Sequence, residues 1–183
     1  FDAMTSGSAF IFSTEEWDEV WRRVGRGDGK IRLDHPEMLE ELDAISAQVP
    51  SETTAEYPFV LSAGERRAFT ANTTVRDPEW RTKDREGALF IHPDDARSLN
   101  IGDGARARIY TAQRSVEVLV EWNERMRPGH VSLPNGQGLD YPNERGDLER
   151  VGIAPNELTS LSAQDKFVGT PWHKSVPARI EAV

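Results

Sequence analysis

Six short apolar runs, each bounded by glycine, proline or polar turn residues, constrain the fold of this 183-residue chain more than any other feature of its sequence. Runs of this length that are rich in β-branched and aromatic side chains suit strands and are too short for helices. Many short strands with glycine turns and little helix are typical of a β-barrel. We therefore predict a mainly β domain with short helices, its strands falling at residues 57–61, 87–92, 105–110, 115–122, 130–134 and 176–183.

The first 50 residues have a helical pattern instead, and we predict a helical segment at 1–50 that precedes a barrel domain at 51–183. Ser13 and Glu16 have the spacing of a capping box, in which each side chain binds the other residue's backbone N–H. The apolar residues that follow recur at i, i+3, i+4 and i+7, which is one face of a helix. They are Trp17, Val20, Trp21 and Val24.

A second helix is predicted to start in Asp34-His35-Pro36-Glu37, with Asp34 as its N-cap and Pro36 in its first turn. Two tryptophans on the first short helix need a large surface to pack against. Because the chain begins with Phe1, we expect it to be a piece of a longer protein that supplies such a surface. The apolar face of the second helix consists of Met38, Leu39, Leu42 and Ile45.

The stretch from Tyr57 to Arg76 joins an apolar run to a polar, basic one. The strand is predicted to break at Ser62-Ala63-Gly64, and Arg66 and Arg67 follow. Backbone N–H groups freed at a glycine turn, together with guanidinium forks, are what phosphate oxygens need. This pattern favours a phosphorylated ligand, and an ordinary surface loop after a strand is the alternative. The polar residues that complete the stretch are Thr70, Asn72, Thr73 and Thr74.

Charge and residue content exclude several classes of protein. The net charge of −9 argues against general nucleic-acid binding, which depends on a basic surface. Residues 65–85 differ locally, with six basic and four acidic side chains. The absence of cysteine excludes disulfides, zinc-thiolate sites and iron–sulfur ligation within this chain. No apolar run approaches the roughly 20 residues of a membrane span, and no paired-histidine metal motif or nucleophile elbow of a hydrolase occurs.

One long segment, residues 135–157, is predicted to be irregular because it contains six glycines and prolines. A loop of that length inside a compact domain is usually functional or disordered. Its first part, Asn135 to Pro142, is our candidate for a loop that faces an active site.

The order of motifs along the chain resembles the C-terminal molybdopterin-dinucleotide-binding domain of the dimethyl-sulfoxide-reductase family, which includes formate dehydrogenases and nitrate reductases. The resemblance covers residues 57–183 and rests on order and spacing rather than on one decisive motif. After the strand and its S-A-G turn come H-P-D-D-A-x-x-L-x-I-G-D-G, a hairpin, R-P-G-H-V-x-L-P-N-G, N-E-L-T and finally G-T-P-W-H-K before the last strand.

The resemblance implies a six-stranded double-psi β-barrel that holds one half of a bis-molybdopterin-guanine-dinucleotide cofactor. Glu65 stands where the family often has arginine, so its backbone N–H is expected to serve, with its carboxylate turned toward Arg66 or Arg67. Asn156 falls on a cofactor-contacting asparagine, although its surroundings also suit a helix or turn cap. Lys174 falls on a basic residue near the pterin, although alone it would be a surface lysine. The implied contact residues are Ser62, Ala63, Gly64, Glu65, Arg66, Arg67, Asn72, Thr73 and Asn156 with Lys174, and Asn135 and His173 by neighbourhood only.

The chemistry of the residues agrees with this assignment. A dinucleotide has a pyrophosphate and a flat heterocycle, so it needs N–H groups and cations at one end and amides at the other. Gly64 permits close approach of the backbone, and Asn72 and Asn156 can pair with donors and acceptors on a heterocycle edge.

The resemblance also implies what other domains supply. In the family, molybdenum or tungsten is held by the cofactor's dithiolenes and a residue of another domain, so this segment is expected to be inert alone. Its expected partners are the other domains of one oxidoreductase chain and a small-molecule substrate, with no nucleic acid or membrane contact. The compartment is left open, with the cytoplasm favoured. The alternative function is a cofactor-free barrel that serves as a binding or adaptor module.

Overall fold

The computed structural model describes residue 17 and residues 19–25, 27–47, 53–65, 77–81 and 84–183. The chain divides into two compact units, Phe1–Val49 and Pro50–Val183. No helix among the described residues is both long and apolar enough to cross a membrane.

The described residues of the first unit form two helices, α1 (Glu19–Arg22) and α2 (Pro36–Ser46). The predicted N-cap of α2 is wrong: the cap is His35, which is extended with φ −122° and ψ 97°. The residue before a proline is disfavoured in the helical region, so the boundary falls directly before Pro36. The predicted capping box at Ser13 and Glu16 lies outside the described residues. The predicted apolar residues of α2 are exposed to solvent, at 52–61% of their surface, and comprise Met38, Leu39, Leu42 and Ile45.

Six strands of the second unit form a closed barrel in the order β1-β5-β2-β4-β3-β8. Two pairs in this order are parallel, β1 with β5 and β2 with β4, and the other pairs are antiparallel. Closure leaves the barrel itself without a free sheet edge among the described strands. This confirms the predicted six-stranded double-psi barrel. The strands are β1 (Phe59–Glu65), β2 (Leu89–Ile91), β3 (Arg106–Tyr110), β4 (Ser115–Trp122), β5 (His130–Pro134) and β8 (Val176–Ala182).

The barrel interior is apolar because alternate residues of each strand point inward. In β1, for example, Leu61 and Ala63 are fully buried, whereas Ser62 between them is not. Helix α3 (Pro93–Ser98) follows β2 and begins at the proline, as predicted. Two 3-10 helices, Pro78–Trp80 and Pro155–Leu158, complete the fold around the barrel, and the second inserts Leu158 into the core. Other large core residues are Leu89, Ile91, Ile109, Val118, Val120, Val131, Leu133 and Ile180.

The first strand is longer than its sequence predicts, which corrects the expected break at residues 62–64. β1 continues to Glu65, and a β-bulge lies between Ala63 and Glu65, where the pairing with β5 shifts by one residue. Gly64 is the bulged residue and has a φ of +85°. Only glycine adopts this conformation without steric strain, so it gives a bulge here instead of ending the strand.

The segment at 135–157 is also more ordered than predicted. It contains a two-stranded antiparallel sheet of β6 (Leu139–Pro142) and β7 (Leu148–Val151). The turn between them depends on Asn143, whose side-chain oxygen accepts hydrogen bonds from the N–H groups of Arg145 and Asp147, both at 3.0 Å. The signal for this turn was the sequence Asn143-Glu-Arg-Gly146.

Candidate cofactor site

Three residues that the sequence selects meet where β1 and β5 end. A Cβ atom built on Gly64 would lie 3.3 Å from Cδ2 of His173 and 3.9 Å from Cβ of Asn135. Backbone hydrogen bonds join the same segments: the Ala63 N–H donates to the His173 carbonyl at 2.7 Å, and the Asn135 N–H donates to the Glu65 carbonyl at 3.0 Å. We call Gly64, Asn135 and His173 the cradle.

The cradle contains a buried oxygen that has no hydrogen-bond partner among the described residues. Oδ1 of Asn135 is buried and accepts no hydrogen bond in the part of the chain that the structure describes. Burying an unpaired polar atom costs about 1–3 kcal/mol, so such atoms are rare and usually have a function. An amide oxygen here is suited to accept from an N–H or O–H group of a ligand.

One hydrogen bond of the His173 ring shows which ring nitrogen carries the hydrogen. Its Nδ1 lies 2.9 Å from the carbonyl oxygen of Pro171. A carbonyl oxygen can only accept, so Nδ1 carries the hydrogen and donates it. This bond orients the ring against Gly64 and leaves Nε2 for another partner.

The side chain of Glu65 in β1 forms a hydrogen bond with a side chain of β5. Its carboxylate accepts a hydrogen bond from the hydroxyl of Ser132, which is buried in β5. The expectation that this carboxylate turns toward Arg66 or Arg67 involves residues outside the described part of the chain. Asn72 and Thr73 lie outside it as well. The bond to Ser132 was not predicted, because it depends on the strand order of the barrel.

Ser62 and Lys174 lie together, but in a cavity on the outer face of β1. This cavity has a volume of about 570 Å³. Arg125, Arg127 and His130 also line it, and sequence reasoning missed both arginines. The sequence signal that could have found them is the closely spaced basic residues Arg125 and Arg127 just before Pro128-Gly129.

Asn156 lies on a different surface. It is exposed on the 3-10 helix Pro155–Leu158, and it lines a cavity of about 480 Å³ with Gln113, Arg114 and Ser160. The alternative interpretation as a cap is wrong, because the N-cap of that helix is Ala154. The structure therefore brings Gly64, Asn135 and His173 into contact and leaves Asn156 apart from them.

The described residues contain no group of three or more histidine or acidic side chains that could hold a metal ion. A glycine, an amide and an imidazole can instead accommodate the polar edge of a heterocycle. A closed barrel with such a cradle at its strand ends defines a ligand-binding barrel domain.

Comparison with known proteins identifies the family. The family model described as "Molydopterin dinucleotide binding domain" matches residues 59–177. The chain belongs to this family of molybdopterin dinucleotide-binding domains. The match confirms the resemblance to the dimethyl-sulfoxide-reductase family that the sequence motifs indicate.

Two curated relatives are each 27% identical to this chain over 152 residues. They are the F420-dependent formate dehydrogenase 1 subunit alpha of Methanococcus maripaludis, with 81% of this chain matched, and the dimethyl sulfoxide/trimethylamine N-oxide reductase of Rhodobacter capsulatus, with 80% matched. The chain spans only about a fifth of their length, 20% and 18%. Among solved structures, acetylene hydratase from Pelobacter acetylenicus shares the fold, with a TM-score of 0.56 and 19% identity over 90% of this chain and 22% of that one.

Proposed function

We propose that this domain holds one half of a bis-molybdopterin-guanine-dinucleotide cofactor within a larger oxidoreductase chain. When bound, the cofactor supplies two-electron redox chemistry at molybdenum or tungsten, and the protein supplies binding and orientation. The family match and the small fraction of each relative that the chain spans support this proposal.

The single observation that carries the proposal is Oδ1 of Asn135 beside Gly64, which has no hydrogen-bond partner among the described residues. Position 64 has no side chain, so His173 packs closely against its backbone, and the buried oxygen of Asn135 needs a donor. The flat edge of a pterin or guanine has N–H groups that can fill this role. The residues therefore fit the group that the family binds.

The other predicted contacts belong to the same proposal. They include Ser62, Ala63 and Glu65 along β1, and Lys174 as a cation that lines the cavity on the outer face of β1. Asn156 is also a predicted contact, and it lies on a separate surface of the domain. The remaining predicted contacts lie outside the described residues, and they are Arg66, Arg67, Asn72 and Thr73.

We further propose that the isolated domain performs no redox chemistry and that the Asn135–Pro142 loop faces the active site of the complete enzyme. The substrate is a small molecule that other domains select.

The experiment is an assay of the full-length chain, purified from cells that make molybdopterin, for molybdenum, tungsten and guanine nucleotide. We expect one metal and two guanine nucleotides per chain. A metal-free and nucleotide-free protein from such cells would overturn the proposal and favour a cofactor-free binding module. A holo structure tests the loop, which should then lie within contact distance of the cofactor.

A further inference from the structure

The cavity on the outer face of β1 has cations and no carboxylate among the described residues that line it. Arg125, Arg127 and Lys174 line it together with Ser62 and His130. A volume of about 570 Å³ is within the usual range for small-molecule sites, roughly 300–1,000 Å³. Three positive charges around one concave surface favour a negatively charged occupant.

These cations have no counter-ion among the described residues. In the described part of the chain, Arg125, Arg127 and Lys174 form no ion pair with a carboxylate within 4 Å, although the chain has a net charge of −9. In another cavity of the barrel domain, of about 490 Å³, positive and negative charges are balanced. Three arginines and three glutamates line that cavity, and Arg106 forms an ion pair there with Glu86 at 2.7 Å.

The loop that carries the two arginines is held in place at both ends. At its start, the Asn123 N–H donates to the Ile91 carbonyl at 2.9 Å. At its end, the Gly129 N–H donates to the Asp95 carboxylate at 2.7 Å, and the Gly129 carbonyl accepts from the Val60 N–H at 2.9 Å. Charges on a fixed loop bind an anion with less loss of conformational entropy than charges on a free one.

This cavity is distinct from the cradle. Val60 and Ser62 line it from the outer face of β1, whereas Leu61 and Ala63 point into the barrel. The cradle begins only at the bulge of Gly64, where β1 ends.

We propose that this cavity is a second binding site, which takes a small anion bearing phosphate groups. Guanidinium groups bind phosphate oxygens through paired N–H donors, and the Ser62 hydroxyl can donate a further bond. The site goes beyond the proposed cofactor function, and it shares Ser62 and Lys174 with the contacts predicted for the cofactor.

The test is calorimetric titration of the full-length chain with inorganic pyrophosphate, for the wild type and for Arg125→Gln, Arg127→Gln and Arg145→Gln. Arg145 is the matched control, because it is exposed in the turn between β6 and β7 and has no ion pair in the described residues. Loss of a charge-assisted phosphate contact should weaken binding about tenfold for each of the two cavity variants. The control should bind as the wild type does.

Two results of the titration would overturn the proposal. Failure of the wild type to bind pyrophosphate would mean that another part of the chain covers the cavity, and equal affinities of all four proteins would place the anion elsewhere. Metal and guanine nucleotide are measured in the same samples. Retention of both in Arg125→Gln and Arg127→Gln is expected, and their loss would assign the cavity to the dinucleotide instead. Lys174 is left unchanged because the cofactor proposal uses it. If the wild type lacks metal and nucleotide but binds pyrophosphate, the cofactor proposal fails and this one stands.

Discussion

Gly64 and His173 approach so closely that a side chain at position 64 would meet the imidazole, with its Cβ 3.3 Å from Cδ2 of the ring. The contact joins the end of β1 to the segment before β8, more than a hundred positions away in the sequence. It is also the place where the backbone of β1 bulges. The shape of the cradle therefore depends on glycine for two separate reasons, its conformation and its lack of a side chain.

Gly64→Ala should reduce cofactor content, and Gly146→Ala is the matched control. The two glycines have almost equal φ angles, +85° and +84°, but nothing lies within 4 Å of a Cβ built on Gly146. A left-handed conformation costs a residue with a Cβ roughly 1–2 kcal/mol, so both variants should lose that much stability in urea unfolding. Only Gly64→Ala should also lose molybdopterin, measured by metal assay of the full-length chain. Equal cofactor content in the two variants would contradict a role of this contact in binding.

The substitution Asn135→Leu should lower cofactor binding without lowering the stability of the cofactor-free chain. Because Oδ1 of Asn135 is buried without a partner among the described residues, removing it should leave the cofactor-free chain as stable as before, or more stable by about 1 kcal/mol. The same change should lower cofactor retention in cells that make molybdopterin. Thermal unfolding of protein from cells with and without molybdopterin synthesis checks both effects. A large loss of stability in the cofactor-free protein would show that the amide is structural.

Asn156→Ala and Lys174→Ala should each reduce cofactor retention in the full-length chain, by roughly tenfold in affinity for each lost polar contact. Both side chains are exposed, so we expect little change in the free energy of unfolding. Metal and nucleotide assays check the first effect and urea unfolding the second. If neither variant loses cofactor, the contacts predicted from the sequence at these two positions are wrong.

Gln137→Leu should destabilise the barrel domain by about 1.5–3 kcal/mol, because Oε1 of Gln137 accepts a hydrogen bond from the guanidinium of Arg81. Both residues are about 95% buried, with 5% of their surface exposed. The same guanidinium donates to the carbonyl of Arg85 at 3.0 Å, so the pair joins two loops. Gln113→Leu, at an exposed position, should change stability by no more than about 0.5 kcal/mol. Urea unfolding of the two variants measures the difference, and equal effects would contradict the importance of the buried bond.

The sequence predicts the barrel strands well where its patterns are local. Alternation of apolar and polar residues locates β3 and β4, and the proline that starts α3 marks its first residue. Motif order along the chain was sufficient to indicate the family, because turns and short strands recur in a fixed sequence. Local patterns failed at Gly64, since glycine is compatible both with the end of a strand and with a bulge inside one.

Long-range packing decides the features that local patterns miss. The bulge exists because β1 pairs in parallel with β5, a neighbour more than sixty residues away in the sequence. Gly138 is required because the backbone nitrogen of Ala154 lies where a Cβ would stand, at 2.3 Å. Neither the pairing of β1 with β5 nor the close approach of Gly138 to Ala154 produces a periodic pattern in the sequence.

For the residues of the cradle, too, the sequence and the tertiary structure determine different properties. The sequence alone selected Gly64 through its turn and motif, and it named Asn135 and His173 as neighbours without assigning their contacts. Only the closed barrel decides that these three meet, that Oδ1 of Asn135 is buried without a donor, and that Arg125 and Arg127 share a cavity with Lys174. Strand identity follows from side-chain preferences over a few residues, whereas burial and the pairing of charges depend on which distant segments the barrel brings together.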